Sequence, residues 1–360
     1  MNDLDQRFES ALDAAGLDAL LVTRDANQRY LEGYTGSECY LLAARSGRWL
    51  IADPRYMEQA GQECRTAKVA PHRDPFPPYA KVIATLVREQ GLKAIGFEKA
   101  MLSYGQYEAI AAELGQAAGF IPTEGIVEGL RRVKRPDEIE LIRAAGAIAD
   151  RALEAVLKVV KEGMSESELA RELEHCLVQA GADGVAFATI AAFGAHSSQP
   201  HAVPNPETRL KRGDFILIDY GALHHGYRSD TTRTFVLGPA DARQREVYAA
   251  VLESQRKGIA ATRSGAGGRE PDTASREHLR SLGFPEFGYG VGHGVGLEIH
   301  ELPFLSKRCE ENLAPGMVVT VEPGVYLPGW GGIRIEDTVL VTEAGPECLT
   351  HFPKDRLLEL

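Results

Sequence analysis

The chain has 360 residues, of which 44% are apolar and 25% are charged, and its formal net charge is −11. This length predicts two domains, and the apolar share is sufficient for a sizeable core in each. An acidic chain without a run of Lys and Arg offers no electrostatic surface for nucleic acid or acidic lipid. No apolar run approaches the ~18 residues that a membrane-spanning helix needs. We therefore expect neither a nucleic-acid partner nor a membrane association.

The cysteines are odd in number and widely spaced, and no two of them form a CxxC pair. This pattern is typical of neither a disulfide framework nor a zinc–thiolate site, and it suits a reducing compartment. The first residues are acidic and then polar, unlike a signal or transit peptide. The predicted location is therefore the cytoplasm.

Up to about residue 124, short apolar runs alternate with helical patterns, which predicts an α/β domain. The predicted strands lie at 18–23, 39–44 and 48–52, and the predicted helices at 80–90 and 104–112. Residues 121–125 are a plausible link to the rest of the chain. We predict two domains, 1–124 and 125–360.

The second domain begins with two clear helix signals. Pro136 and the acids after it suit a first helical turn, and Ser165 with Glu168 forms a capping box. Further strands are predicted at 215–220, 232–237, 317–321 and 333–341, and further helices at 241–262 and 272–282. Helices on one side and antiparallel hairpins on the other predict an α+β domain.

Two predicted hairpins each place one acid on each of their strands. In the first, the apolar run 215–218 leads into Asp219, and the return strand carries Asp230. In the second, an apolar strand leads into Glu322, and the return strand carries Glu336. A strand that is apolar at every position is buried on both faces, so these acids are expected to be buried as well.

Buried carboxylates must be neutralised by pairing, hydrogen bonding or metal. The local cations, Arg233 and Arg334, are too few for four acids, whereas a pair of divalent ions would satisfy all of them. His293 lies between the hairpins in a glycine-rich stretch that lets other groups approach closely. An oxygen-rich set with one imidazole favours Mn, Co or Fe. The alternative, that the acids are solvated or form hairpin salt bridges, explains single acids better than the repeated arrangement.

The sequence resembles the pita-bread metallopeptidases, which include methionine aminopeptidase, Xaa-Pro aminopeptidase and Xaa-Pro dipeptidase (prolidase). The matching blocks of the second domain are residues 226–230, 292–301 and 321–326. Residues 27–37 and 53–56 resemble the N-terminal domain of the proline-specific members and of creatinase. The resemblance implies an α+β fold in which a creatinase-type α/β domain precedes a pita-bread catalytic domain.

The resemblance also implies a metal centre and its ligands. The implied ligands are Asp219, Asp230, His293, Glu322 and Glu336. They would hold two divalent ions, with manganese preferred and cobalt, zinc or iron as alternatives, and Asp230 and Glu336 would bridge the pair. Glu322 would also carry the proton from water to the leaving nitrogen.

Four further residues are candidates for contact with the substrate. His201 and His300 are implied to be catalytic and to bind substrate. Arg334 has a substrate role or acts as the counter-ion of the bridging glutamate, and Tyr326 bounds the pocket or is a packed aromatic. His196 receives no role.

The function implied is hydrolysis of the Xaa-Pro bond at the N-terminus of peptides with proline in second position, by an Xaa-Pro aminopeptidase. In some prolidases an arginine follows the His-Glu-x-Pro block, but here Phe304 stands at that position. An Xaa-Pro dipeptidase is the alternative, with Lys307, Arg308 or Arg209 as the cation for the dipeptide carboxylate. A non-catalytic or creatinase-like member is the remote alternative, and a homodimer is expected by resemblance.

Overall fold

The computed structural model describes residues 3–360, and the chain divides into two compact units, Met1–Arg131 and Arg132–Leu360. The division falls a few residues after the expected boundary at 124. A short helix at Ile126–Arg131 belongs to the first unit, where the side chain of Arg131 donates to Asn27 Oδ1 at 2.7 Å. None of the helices within the described residues is long and apolar enough to cross a membrane.

The first unit is an α/β domain built on one mixed sheet. Its strands are β1 (Ala19–Val22), β2 (Cys39–Ala44), β3 (Gly47–Ala52), β4 (Lys68–Pro71), β5 (Ala94–Glu98) and β6 (Gly119–Thr123). Its helices are α1 (Asp3–Ala14), α2 (Asp25–Glu32), α3 (Met57–Glu63), α4 (Tyr79–Glu89), α5 (Tyr104–Leu114) and α6 (Ile126–Arg131). The strand order is β4-β3-β2-β1-β5-β6, and β2 runs antiparallel to both its neighbours.

The spacing of apolar residues in the sequence explains which faces of the strands and helices are buried in the first unit. Every residue of β1 and β2 is buried, as expected for strands covered on both faces. Helix α4 buries one stripe, which includes Ile83, Ala84 and Val87, in the same core as the strands. The predicted strands and helices of this domain are confirmed to within two residues at each end.

The second unit contains the longer helices and several smaller sheets. Its helices are α7 (Pro136–Val156), α8 (Glu166–Gln179), α9 (Ala242–Ala261) and α10 (Glu270–Ser281). Its first strands are β7 (Gly184–Val185), β8 (Ile190–Phe193), β9 (Phe215–Tyr220), β10 (Ala222–His224), β11 (Tyr227–Arg228) and β12 (Thr231–Val236). Its later strands are β13 (Gly292–Gly294), β14 (Glu301–Leu305), β15 (Val318–Val321), β16 (Gly324–Leu327), β17 (Gly331–Arg334), β18 (Asp337–Thr342), β19 (Gly345–Cys348) and β20 (Leu358–Glu359).

Two sheets of the second unit are each covered by a pair of helices. Strands β20-β12-β9-β8 form the first sheet, whose apolar side chains share a core with α7 and α8. Strands β14-β13-β15-β18-β19 form the second, and α9 and α10 pack in its core. The predicted capping box at the start of α8 is confirmed, because the hydroxyl of Ser165 accepts from the Glu168 amide at 3.1 Å.

The prediction of one strand at 333–341 is wrong in one respect, because the chain changes sheets within it. Strand β17 ends at Arg334 and pairs with β16, whereas β18 begins at Asp337 and pairs with β15 and β19. Between them, the amide of Glu336 donates to the carbonyl oxygen of Thr232 in β12, at 3.2 Å. This hydrogen bond links the segment between β17 and β18 to the first sheet.

Candidate metal centre and substrate cavity

The four acids are brought together at the strand ends of two sheets. In the first sheet, Asp219 of β9 pairs with Thr232 of β12, and Asp230 directly precedes β12. In the second, Glu322 directly follows β15, and Glu336 directly precedes β18, the partner of β15. Each pair of acids therefore lies on two antiparallel strands, as expected, but these strands are not simple hairpins: the shorter pairs β10–β11 and β16–β17 lie between them in the chain.

The imidazole of His293 faces the acids through its Nε2 atom. Its Nδ1 donates to the carbonyl oxygen of Gly294 at 3.1 Å, since that oxygen can only accept. Nε2 then lies on the side of the acids, 3.5 Å from Asp230 Oδ2 and 3.4 Å from Glu322 Oε1. Such a hydrogen bond is the usual means of orienting a metal-binding histidine.

A glycine permits the close approach of this strand to its neighbour. A Cβ at Gly292 would overlap the carbonyl oxygen of Thr320 in β15. The hydroxyl of Thr320 meanwhile accepts from the His293 amide at 3.0 Å and donates to Glu322 Oε1 at 3.3 Å. Thr320 thus holds two of the expected ligands in register, a role that sequence reasoning missed.

Ligand atoms of Asp230, His293 and Glu336 all lie within 4.8 Å of one another, and all three residues are buried. Burial and the charge of Glu336 raise the pKa of Asp230 well above its ordinary value. Burial and the neighbouring carboxylates of Glu322 and Asp219 do the same for the pKa of Glu336. Positive charge placed among these groups would favour their ionised forms.

One carboxylate oxygen of Asp219 has a hydrogen-bond partner, and the other has none in the described part of the chain. Its Oδ2 accepts from Arg334 Nη2 at 2.6 Å, but no group of residues 3–360 donates to its buried Oδ1. The second local cation, Arg233, is bound elsewhere, since its Nη2 donates to Asp337 Oδ1 at 2.7 Å. The donor set and the unsatisfied Oδ1 therefore fit divalent cations, which prefer carboxylate oxygen and imidazole nitrogen.

Arg334 joins the acids to the surrounding polar groups. Its Nε donates to Thr232 Oγ1 at 3.0 Å, and that hydroxyl donates to Glu336 Oε2 at 2.6 Å. Its Nη1 donates to the carbonyl oxygen of Pro200 at 3.0 Å and to the Tyr326 hydroxyl at 2.8 Å. Arg334 is fully buried among these partners, so the guanidinium orients the site as well as balancing its charge.

A cavity of about 610 Å³ opens onto the acids. Its wall consists of Phe187, Ala188, Thr189, Ile190, His201, Ala202, Val203, Pro204, Asp219, Asp230, Tyr289, Gly290, Gly292, His293, Ile299, His300, Phe304, Ser306, Glu322, Arg334 and Glu336. Most of this wall is apolar, as is usual for a small-molecule or peptide site with a few polar groups placed to orient the ligand.

The expected substrate residues occupy different places around the cavity. His201 and His300 both line it, and the ring of His300 lies 4.3 Å from that of His293, centroid to centroid. Burial and nearby His293 lower the pKa of His300, which favours its neutral form at pH 7. Tyr326 lies behind Arg334 rather than in the wall, with its hydroxyl 2.6 Å from that of Tyr289.

His196, which had no role from the sequence, lies outside the wall. Its Nδ1 is 2.9 Å from both carboxylate oxygens of Glu166, at the start of α8. The role of Thr232 was also missed in the sequence. A threonine in a buried strand next to buried acids could have indicated a hydroxyl that hydrogen-bonds to them.

Buried carboxylates and an oriented imidazole that converge on one cavity define a metallohydrolase centre. The profile of metallopeptidase family M24 matches residues 140–343, and that of the creatinase/prolidase N-terminal domain matches residues 6–133. The chain belongs to metallopeptidase family M24, and it combines a creatinase-type N-terminal domain with a pita-bread catalytic domain.

Known proteins resemble the chain over nearly its full length. A solved Xaa-Pro dipeptidase from Bacillus anthracis has a TM-score of 0.94 and 39% identity, covering 99% of both chains. A solved X-Pro aminopeptidase from Thermotoga maritima has a TM-score of 0.89 and 35% identity, covering 97% of this chain and 99% of that one. The Xaa-Pro dipeptidase of Pyrococcus horikoshii is 34% identical over 99% of each sequence.

Proposed function

We propose that this metallopeptidase removes the residue that precedes proline at the N-terminus of a peptide, and that it acts on peptides longer than two residues. The observation that carries the proposal is the convergence of four carboxylates and His293 on one largely apolar cavity. The similarity to both Xaa-Pro dipeptidases and an X-Pro aminopeptidase supports the preference for proline.

Two divalent ions would be held by the cluster. Asp219 would bind one ion, His293 and Glu322 the other, and Asp230 and Glu336 would contact both. When bound, such a pair lowers the pKa of water towards neutrality and polarises the carbonyl group that is attacked. Manganese is our first choice because oxygen ligands predominate, and cobalt, zinc and iron remain alternatives.

The residues of the chain supply proton transfer and orientation. Glu322 is partly exposed to the cavity, so its carboxylate can accept a proton from water and pass it to the proline nitrogen. His201 and His300, which both line the cavity, would donate hydrogen bonds to the carbonyl oxygen as negative charge develops there. Arg334 would hold Asp219 in place, with Tyr326 supporting its guanidinium.

The preference for longer peptides rests on the charges in the cavity wall. A dipeptidase must bind a carboxylate directly after proline, which normally requires a free cation. Arg334 is the only Arg or Lys in the wall formed by the described residues, and its guanidinium already binds Asp219. Lys307 pairs with Glu286 and Arg209 pairs with Glu168, and neither these two residues nor Arg308 lines the cavity.

The side chain of Phe304 lies in the wall and is 50% exposed. An apolar group at this place can pack against the residue after proline but cannot pair with a carboxylate. Dipeptidase activity is the second candidate, because similar proteins of this length carry that name.

The test compares three substrates with added Mn²⁺: an Xaa-Pro dipeptide, an Xaa-Pro-Xaa-Xaa tetrapeptide and the matched Xaa-Ala-Xaa-Xaa tetrapeptide. We expect the proline tetrapeptide to be cleaved fastest. Cleavage of the dipeptide alone would establish the second candidate, and equal cleavage of the alanine peptide would contradict the preference for proline. Phe304→Arg should raise kcat/KM for the dipeptide about 10-fold or more, the size expected for one charge-assisted pair.

The proposed location is the cytoplasm, and the proposed assembly is a homodimer. All five cysteines are free thiols, in keeping with a cytoplasmic protein. We propose a homodimer on the resemblance of the N-terminal domain, and sedimentation equilibrium of the full chain at micromolar concentration tests it: a monomer mass would contradict it.

A further inference from the structure

The wall of the cavity includes a segment with little regular structure of its own. Between β8 and β9 the chain forms a 3₁₀ turn at Gly194–Ser198 and then continues as a loop. This loop supplies four consecutive wall residues, from His201 to Pro204. A loop of this kind presents a side chain in one place only if it is anchored on both sides.

Glu166, in the first turn of α8, holds both ends of this segment. Its Oε1 accepts from the Phe193 amide at 2.7 Å, before the turn, and its Oε2 accepts from the Asn205 amide at 2.9 Å, after the wall residues. His196 lies between them, with Nδ1 2.9 Å from each oxygen. Both oxygens of a fully buried carboxylate are thus used within a single loop.

Neighbouring contacts hold the same loop in the same place. The hydroxyl of Ser167 donates to the carbonyl oxygen of Pro204 at 2.9 Å. On the other side, Ser197 Oγ accepts from the Gly332 amide at 2.8 Å, and Arg334 binds the carbonyl oxygen of Pro200. The carboxylate of Glu166 nevertheless contacts the segment before, within and after its turn.

We propose that Glu166 is a positioning residue for His201: together with His196 it closes the 193–205 segment into a fixed loop that aims His201 at the cavity. A buried carboxylate that accepts three hydrogen bonds forms strong bonds, and removing its charge weakens all of them. An effect of Glu166 on turnover rests on the proposed function, because it requires His201 to contact the substrate. The effect of Glu166 on the loop conformation does not require this.

The fixing of the loop is tested by hydrogen exchange on Glu166→Gln. Whichever way the new amide is oriented, its NH₂ group faces one of the two backbone N–H donors, so one contact becomes repulsive. We expect amides of 193–205 to exchange about 10-fold faster or more, with other regions unchanged. Glu168→Gln removes the same charge two residues away on an exposed side chain, and it should leave these amides unaffected.

His196→Ala is the second variant, and it keeps the test valid if Glu166→Gln fails to fold. It removes one of the three contacts, so the same amides should exchange faster by a smaller factor. Unchanged exchange of 193–205 in a folded Glu166→Gln protein would overturn the proposal, as would unchanged exchange in His196→Ala if Glu166→Gln does not fold.

A double-mutant cycle with His201→Ala tests the connection to catalysis. We expect Glu166→Gln to lower kcat for the proline tetrapeptide about 10-fold with metal content unchanged, and to cost less than about twofold when His201 is already alanine. An equal loss in both backgrounds, or loss of metal, would show that Glu166 does not act through His201. If wild-type protein leaves the proline peptide uncleaved, the proposed function fails, and the exchange experiment still decides whether Glu166 fixes the loop.

Discussion

Thr232→Val tests how far the metal centre depends on the groups behind its ligands. The hydroxyl of Thr232 is fully buried and bridges two charged groups, Glu336 Oε2 at 2.6 Å and Arg334 Nε at 3.0 Å. Valine has nearly the same shape but neither donates nor accepts. The substitution therefore removes both hydrogen bonds without opening a cavity.

The expected magnitude follows from these two contacts. Hydrogen bonds to charged groups contribute about 1.5–3 kcal/mol each. Arg334 keeps its bonds to Asp219, Pro200 and Tyr326, so only part of the loss reaches the metal ligands. We expect metal affinity or kcat to fall about 10- to 100-fold, equivalent to ~1.4–2.8 kcal/mol.

The assay is a Mn²⁺ titration of metal-free protein, followed by turnover of the proline tetrapeptide at saturating Mn²⁺. Thr231→Val is the matched control, because Thr231 is the neighbouring residue, is equally buried, and its hydroxyl has no partner among residues 3–360. The control should match wild type. Wild-type affinity and turnover in Thr232→Val would refute the reasoning that Thr232 orients the bridging acid.

The remaining predictions concern the ligands, the second histidine and the packing of α7. Asp230→Asn and Glu336→Gln should each abolish turnover and stoichiometric metal, measured by elemental analysis; full turnover at saturating Mn²⁺ would refute the assignment. His300→Ala should lower kcat about 10²-fold while metal content stays intact, and loss of metal would place it among the ligands instead. Gly146→Ala should destabilise the protein by about 1–3 kcal/mol in urea unfolding, because its Cβ would overlap the carbonyl oxygen of Leu349; an unchanged midpoint would contradict that close packing.

The sequence was most informative where a charged residue occurs next to an otherwise apolar strand. Asp219 follows four apolar strand residues, and an acid at such a place needs a partner. The matching position of Glu322 after another apolar strand made one shared site the simplest explanation. The positions of the acids at the ends of paired strands could therefore be predicted from local pattern, and the resemblance to known peptidases supplied their expected roles as metal ligands.

What the sequence could not reveal depends on contacts between distant segments. Glu166 reads as an ordinary acid in a first helical turn, because its partners Phe193 and Asn205 lie 27 and 39 residues away. The break between β17 and β18 was missed for the same reason, since Glu336 hydrogen-bonds a strand 104 residues earlier in the chain. Local propensity carries no information about such partners.

We propose that one group of side chains holds a pair of divalent ions at the cavity. The decisive measurement is anomalous diffraction from crystals grown with Mn²⁺. We predict two peaks enclosed by the five proposed ligands: Asp219, Asp230, His293, Glu322 and Glu336. Peaks elsewhere on the chain, or none at saturating Mn²⁺, would contradict it.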